Sequence, residues 1–338
     1  VEIGSIVHIL SLFVGSLKSL HSLDSIKLMD ISFPESILKK YPGPLHGISE
    51  IAKYMKHEPP FLAVQLRSID ALSASTFSKN AYELWSNGID IVIDPLTLTD
   101  KSYNNFNERI ARTLAMKERV EKETGNKKIY VPNITAETIE MVTRSDRVAN
   151  YGSHFVFIDA LATGFSGLES VRKHTQNYIY ALRGFSVNEV RKPESGISLL
   201  TLAKLSRLAG VDFLNIGTIA GKMKSVAADT LEIKHEISDD FIKAKWTTLE
   251  QEWEGIKSTL SVVSGGLHPG HVPTIVTTLG KQVVIQCSGG VLDHPDGLSL
   301  GAKALRQSLD ATLKNISLKD FSKNHRALEK AIYKWGMH

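Results

Sequence analysis

A repeat constrains this chain more than any other feature: short, nearly continuous apolar runs alternate eight times with longer amphipathic stretches. The runs are Phe61–Leu66, Ile89–Ile93, Lys128–Val131, His154–Ile158, Tyr178–Leu182, Asp212–Ile216, Leu260–Val263 and Val283–Cys287. Uninterrupted runs of this length suit parallel strands covered on both faces. Helical periodicity comes after them at Phe77–Ser86, Phe106–Glu123, Ala136–Ala149, Leu168–Thr175, Leu199–Leu208, Asp240–Ile256, Val272–Leu279 and Gly301–Leu313. Gly125 and Gly210 stand just past the second and fifth of these, where helices favour glycine. Eight βα units in about 250 residues predict an α/β fold, a closed (β/α)8 TIM barrel rather than an open doubly wound sheet.

The flanks depart from the repeat. Gly4–Leu28 reads as mostly helical, and Pro34, Pro42, Pro44, Pro59 and Pro60 punctuate the connecting stretch between it and the first strand. Residues 1–45 are therefore assigned to the end of a preceding domain and its linker, 46–315 to the barrel and 316–338 to a helical tail. The chain opens at Val1 without a methionine, which suggests a piece of a longer protein. Hydrophobic residues at 42% and charged residues at 22% exclude a disordered or collagen-like chain. A net charge of +4 without any block of like charges calls for no nucleic-acid partner. The longest apolar stretch, Ile6–Val14, is interrupted by His8 and Ser11 and is too short to span a bilayer. No basic flank marks it as a signal peptide, so a cytoplasmic protein without a membrane partner is expected. The single cysteine, Cys287, excludes a disulfide framework and a cysteine-based zinc site.

Barrel chemistry sits where strands end and βα loops begin. The loops after the seventh and eighth strands read Ser264-Gly265-Gly266 and Ser288-Gly289-Gly290. Glycine lets backbone N–H groups approach an anion closely, and these two loops are the common phosphate site of the fold. The sixth loop carries Lys222 beside Gly221, placed to close over an anion. Arg183 ends the fifth strand and needs an acceptor, either a ligand anion or a carboxylate such as Asp159. His268, His271 and His294 invite a metal, but two of them precede prolines in turns and no carboxylate spacing supports them.

The stretches 196–225 (GISLLTLAKLSRLAGVDFLNIGTIAGKMKS), 261–297 (SVVSGGLHPGHVPTIVTTLGKQVVIQCSGGVLDHPDG) and 301–313 (GAKALRQSLDATL) resemble the large subunit of ribulose-bisphosphate carboxylase (RuBisCO), of the archaeal type. The stretches 14–44, 43–55 and 127–137 fit the same resemblance without gaps. It implies an N-terminal α+β domain before the barrel, of which this chain holds only the end, and a homodimer or higher assembly of dimers. It also implies a lysine carbamylated by CO2 at the end of the second strand, which binds Mg2+ together with an Asp and a Glu. Those three positions are Ile93, Pro95 and Leu96 here, and Asp94 points away from the face of position 93. No metal ligand set remains, so no cofactor is expected. The family's lysine after the first strand aligns with Arg67, and a second nearby with Ile69. The histidines around the fifth strand align with Tyr180, Leu182 and Ser186, that after the sixth with Asn215, and an asparagine of the first domain with Ser16.

The resemblance retains the anion-binding half. Arg183, Ser264, Gly265, Gly266, Ser288, Gly289 and Gly290 match its phosphate and substrate positions, Lys222 its catalytic mobile-loop lysine, and Asn133 a catalytic position after the third strand. The expectation is a RuBisCO-like protein that binds a phosphorylated sugar-type ligand without carboxylase activity. The alternatives are a genuine carboxylase and a non-catalytic pseudoenzyme subunit. A proton transfer beside a carbonyl would need a base, for which Asp70, Asp94, Asp159 and His268 are the candidates.

Overall fold

The computed structural model describes residues 5–13, 25–67, 72–182 and 196–337. Eight parallel strands form one sheet: β1 (Phe61–Gln65), β2 (Ile91–Ile93), β3 (Ile129–Val131), β4 (Phe155–Asp159), β5 (Tyr178–Leu182), β6 (Phe213–Gly217), β7 (Leu260–Ser264) and β8 (Val283–Gln286). The spatial order β3-β2-β1-β8-β7-β6-β5-β4 leaves β3 and β4 as the ends. They meet just past β3, where the Phe157 N–H donates to the Pro132 carbonyl at 2.8 Å and the Ile134 N–H to the Phe157 carbonyl at 3.0 Å. These bonds close the sheet into the expected barrel.

Period-two alternation decides which side chain goes where. Phe61, Ala63, Ile91, Ile93, Ile129 and Val131 fill the barrel interior. Leu62, Val64, Val92 and Tyr130 face outward beneath the helices. Aromatic rings occupy much of the interior, with Phe155 stacked on Tyr178 at 4.5 Å and Tyr180 on Phe213 at 5.5 Å. Ile51 and Met55 of the helix Gly47–Met55 join this interior cluster.

The outer helices are α1 (Ala74–Ser86), α2 (Phe106–Thr124), α3 (Thr138–Asn150), α4 (Ala160–His174), α5 (Leu199–Leu208), α6 (Ala227–Ser238), α7 (Val272–Leu279) and α8 (Leu298–Leu313). Side chains of Ser73, Asn105, Glu137, Asp159 and Ser198 accept first-turn N–H groups and start five of them. Gly125 ends α2 in the left-handed region at φ 71°. Gly210, at φ 92°, lies where a Cβ would stand 2.7 Å from the Gly43 carbonyl oxygen, so chain direction and packing both require glycine.

One helix is a correction. The expected helix Asp240–Ile256 is absent, and α6 precedes it, burying Ile233 and Ile237. Phe241–Ile242 instead pairs antiparallel with Gln251–Glu252. The apolar residues that suggested a helix do not share one buried face: Ile242, Trp253 and Ile256 are buried, while Phe241 is 53% exposed, Leu249 49% and Trp246 fully exposed. The fourth helix also starts earlier than expected, at Ala160, with a break at Gly164.

Of the leading segment, Ile6–Ser11 is helical and Lys27–Leu28 pairs in parallel with Gly196–Ile197, while 14–24 lies outside the described residues. Gln251 fastens this lead-in by accepting from the Phe33 N–H at 2.7 Å and donating to its carbonyl at 3.1 Å. The tail folds as α9 (Leu318–Ser322) and α10 (Arg326–Trp335). Among the described residues no helix is long and apolar enough to cross a membrane.

Cys287 stands just past β8, fully buried, with its Sγ donating to the Leu267 carbonyl at 3.1 Å. Burial pushes its thiol up to about 12. Alkylation at pH 8 is therefore expected to label the native protein negligibly and the denatured protein stoichiometrically, read by intact-mass spectrometry. Rapid labelling without denaturant would show that β8 opens.

Candidate functional site at the barrel mouth

The mouth holds a cavity of about 770 Å3 over the ends of β1, β6, β7 and β8. Its charged lining residues are Arg67, Lys222, Lys224, Lys334 and Asp293, four basic groups against one acidic. Gly266, Gly289, Gly290, His268 and Trp335 complete much of the wall. A concave site with this charge balance attracts an anion.

The glycine-rich loops meet as their positions suggest. Ser264, at the end of β7, accepts from the Asn215 amide, whose oxygen in turn takes the Gly217 N–H at 2.9 Å. Ser288 accepts from the Gln65 N–H at 3.0 Å, which ties the eighth loop to the end of β1. Gly289 and Gly290 begin the short helix Gly289–Leu292. A Cβ on Gly290 would stand 2.4 Å from the His268 Cα, so the seventh and eighth loops touch backbone to backbone.

The sixth loop rests on the seventh. The Met223 N–H donates to the Gly265 carbonyl at 3.3 Å, and a Cβ on Gly221 would lie 2.7 Å from the Gly266 oxygen. Lys222 is thereby exposed at the cavity wall. Arg183, Ile69, Asp70, Ser186 and Ser16 lie outside the described residues.

The end of β2 is built differently. Ile93 is fully buried in the barrel interior, and Asp94 points the other way, also fully buried. Its carboxylate accepts from Arg109 Nε at 3.0 Å, Tyr130 OH at 2.7 Å and the Asn133 N–H at 2.9 Å. Burial pushes the Asp94 carboxyl up, and Arg109 is the principal group opposing that. Pro95 is buried and Leu96 is 38% exposed. Asn133 is fully buried; its amide donates to the carbonyls of Pro95 at 3.0 Å and Leu96 at 2.8 Å, and its oxygen accepts from Thr135.

These residues do not fit the metal that the resemblance implies. A carbamate needs an amine, and Mg2+ needs oxygen ligands, largely carboxylates and waters. Position 93 offers a hydrocarbon, position 94 a carboxylate committed to Arg109, and positions 95 and 96 two more apolar side chains. Among the described residues no three His, Cys, Asp or Glu side chains gather to hold a metal ion.

The remaining candidates have local tasks. Asp159 caps α4 by accepting from the Leu161 and Ala162 N–H groups. His294 accepts from the Asp296 N–H through Nδ1, and its Nε2 lies 3.0 Å from the Ala327 carbonyl. His268 and His271 stack at 3.6 Å, and each Nδ1 accepts a backbone N–H of the turn. His268 also lines the cavity.

Sequence reasoning missed Asp293 and Lys334. Arg67 forks onto Asp293, Nη1 to Oδ1 at 2.7 Å and Nη2 to Oδ2 at 2.6 Å. Lys334 donates to the Asp293 carbonyl oxygen. Arg67 and Asp293 are 226 positions apart, so no local pattern announces the pair.

The fold and the site define a closed βα barrel protein whose basic mouth is built from glycine-rich seventh and eighth loops. The particular family is given by comparison: the model of the ribulose bisphosphate carboxylase large chain, catalytic domain, matches residues 47–335, and the chain belongs to that family. It is 36% identical to the ribulose bisphosphate carboxylase of Methanosarcina barkeri over 99% of this chain and 80% of that one. With the Pyrococcus furiosus protein of the same name the identity is 38%, covering 99% and 78%. Among solved structures, a dimeric archaeal Rubisco from Hyperthermus butylicus superposes with a TM-score of 0.91 at 32% identity, covering 99% of this chain and 79% of that one. The octameric Rubisco of Pyrococcus horikoshii, solved as a sulfate complex, superposes with 0.90 at 34% identity, covering 99% and 77%.

Proposed function

We propose that this chain binds a phosphorylated sugar-type ligand at the barrel mouth and does not carboxylate ribulose bisphosphate. The observation that carries this is the segment Ile93-Asp94-Pro95-Leu96, which has no amine to carbamylate and no carboxylate free of Arg109. Arg67 stands where the family has a lysine, and a guanidinium does not carry protons near neutral pH. The anion-binding parts are present together: Lys222, the Ser264–Gly266 and Ser288–Gly290 turns, and the basic cavity they border. The sulfate complex of the Pyrococcus horikoshii relative supports an anion as ligand. Arg183 belongs to the same site on the family pattern, and Asn133 braces the end of β2. Dimeric and octameric relatives support a homodimer or an assembly of dimers, here in the cytoplasm.

A second reading, genuine carboxylation, is favoured by the names of relatives that match 99% of the chain. Calorimetric titration with ribulose bisphosphate, with and without Mg2+ and bicarbonate, separates the two. Binding indifferent to both additives is expected, and Arg183→Ala should weaken it more than tenfold without lowering the melting temperature, as loss of a charge-assisted phosphate contact does. Binding or turnover that requires both additives would restore the carboxylase reading. Unchanged affinity in Arg183→Ala would remove that residue from the site.

A further inference from the structure

We propose that Asp293 is a built-in competitor at the mouth. Its carboxylate occupies on Arg67 the seat that the ligand's anionic head takes over, so an anion binds there only by exchange with it. The inference rests on the reading of the mouth as a phosphate site and names the group that a ligand must displace there.

The geometry is that of a bound ligand. Two parallel N–H···O contacts, 2.7 and 2.6 Å, join the guanidinium to both carboxylate oxygens. Phosphate engages arginine through the same two-pronged arrangement. Both partners line the cavity, with side chains 39% and 48% exposed, so a ligand can reach either one. An ion pair so exposed contributes little to the fold and is exchangeable. It also lies against the eighth loop: a Cβ on Gly289 would be 3.4 Å from Arg67 Nη2 and 3.8 Å from Asp293 Oδ2.

Charge then sets how firmly the competitor is held. Arg67, with Lys334 and Lys222 nearby, holds the Asp293 carboxyl below the usual carboxylate range. An entering carboxylate only matches the group that it displaces. A phosphate dianion brings more charge and a third oxygen to the same cations, and the displaced Asp293 swings into water. Removing the Asp293 charge lifts the competition, which is the same for every entering anion, and the repulsion, which is larger for the dianion.

The test titrates the full chain with inorganic phosphate and with acetate, for the parent protein, Asp293→Asn, Arg67→Gln and the double variant. Melting curves confirm that each is folded. Asp293→Asn is expected to tighten phosphate about three- to tenfold and to tighten acetate in the same direction. Arg67→Gln is expected to weaken phosphate, and in the double variant the gain from Asp293→Asn should vanish. Phosphate binding confined to the Asp293→Asn variant would also support the exchange. Phosphate affinity unchanged or weakened in Asp293→Asn, beside a parent protein that binds phosphate, overturns the role of Asp293 and leaves the phosphate site standing. No phosphate binding by any variant overturns both.

Discussion

Arg109→Ala is expected to lower the stability of the protein by about 3–5 kcal/mol, the usual cost of stripping one partner from a buried ion pair. Arg109 and Asp94 are both fully buried. The guanidinium donates to Asp94, to the Asn104 carbonyl at 3.1 Å, to the Asn104 side chain at 3.0 Å and to the Thr99 carbonyl at 2.7 Å. Alanine leaves three acceptors without their donor and removes the chief force keeping the Asp94 carboxyl ionised. Since burial already pushes that carboxyl up, the variant is expected to take up a proton there on folding. Urea denaturation measures the loss as a lower midpoint at unchanged slope. A loss below about 1 kcal/mol would show that the network is peripheral to the fold. The same network explains why the end of β2 serves structure in this chain. Arg109 fixes the Thr99–Asn104 loop, and Asp94 positions the Asn133 backbone, whose side chain holds residues 95 and 96 in place.

Glu236→Gln is expected to act in the opposite direction, stabilising the protein above neutral pH. Glu236 lies fully buried on α6, 3.7 Å from Lys204 Nζ, while Asp30 takes the same ammonium at 2.9 Å. One cation thus serves two carboxylates. Burial pushes Glu236 from 4.5 up to about 7; Lys204 opposes this, and Asp30 and Glu232 add to it. A carboxyl raised on folding binds its proton more tightly in the folded state. Its contribution is full below about 4.5 and is lost as pH rises through about 7. The shift sets a ceiling of about 3 kcal/mol, which the buried amide of glutamine, at a position whose carboxylate oxygens have no hydrogen-bond partner among the described residues, lowers to about 1–2 kcal/mol. Glu236→Gln should gain that much at pH 8, gain almost nothing at pH 4.5, and flatten the stability profile between them. Denaturation midpoints across that range provide the check, and parallel profiles for the two proteins would overturn the argument. The cluster joins the lead-in to the barrel: Asp30 also accepts from the Ile31 and Leu249 N–H groups.

The eight strands were legible because a parallel strand covered on both faces must be apolar throughout, and each such run is complete within a few residues. The two Ser-Gly-Gly turns were legible for a related reason, since close backbone approach needs glycine wherever it occurs. The stretch 240–256 was misread because its apolar residues fit a helical period, yet a strand pair buries Ile242, Trp253 and Ile256 and leaves Trp246 fully exposed. That Ile93, Pro95 and Leu96 offer neither amine nor carboxylate was readable too, because these are chemical identities that no folding alters.

By itself, then, the sequence determined the repeat, the barrel and the apolar side chains at the end of β2. The tertiary structure alone decided which charges meet. Arg67 forks onto Asp293, Arg109 onto Asp94, and Lys204 stands between Asp30 and Glu236. Strand periodicity and glycine turns arise from forces between near neighbours in the chain, which leave a pattern there. Ion pairs join residues up to 226 positions apart, and the closed tertiary fold is what brings them within 4 Å.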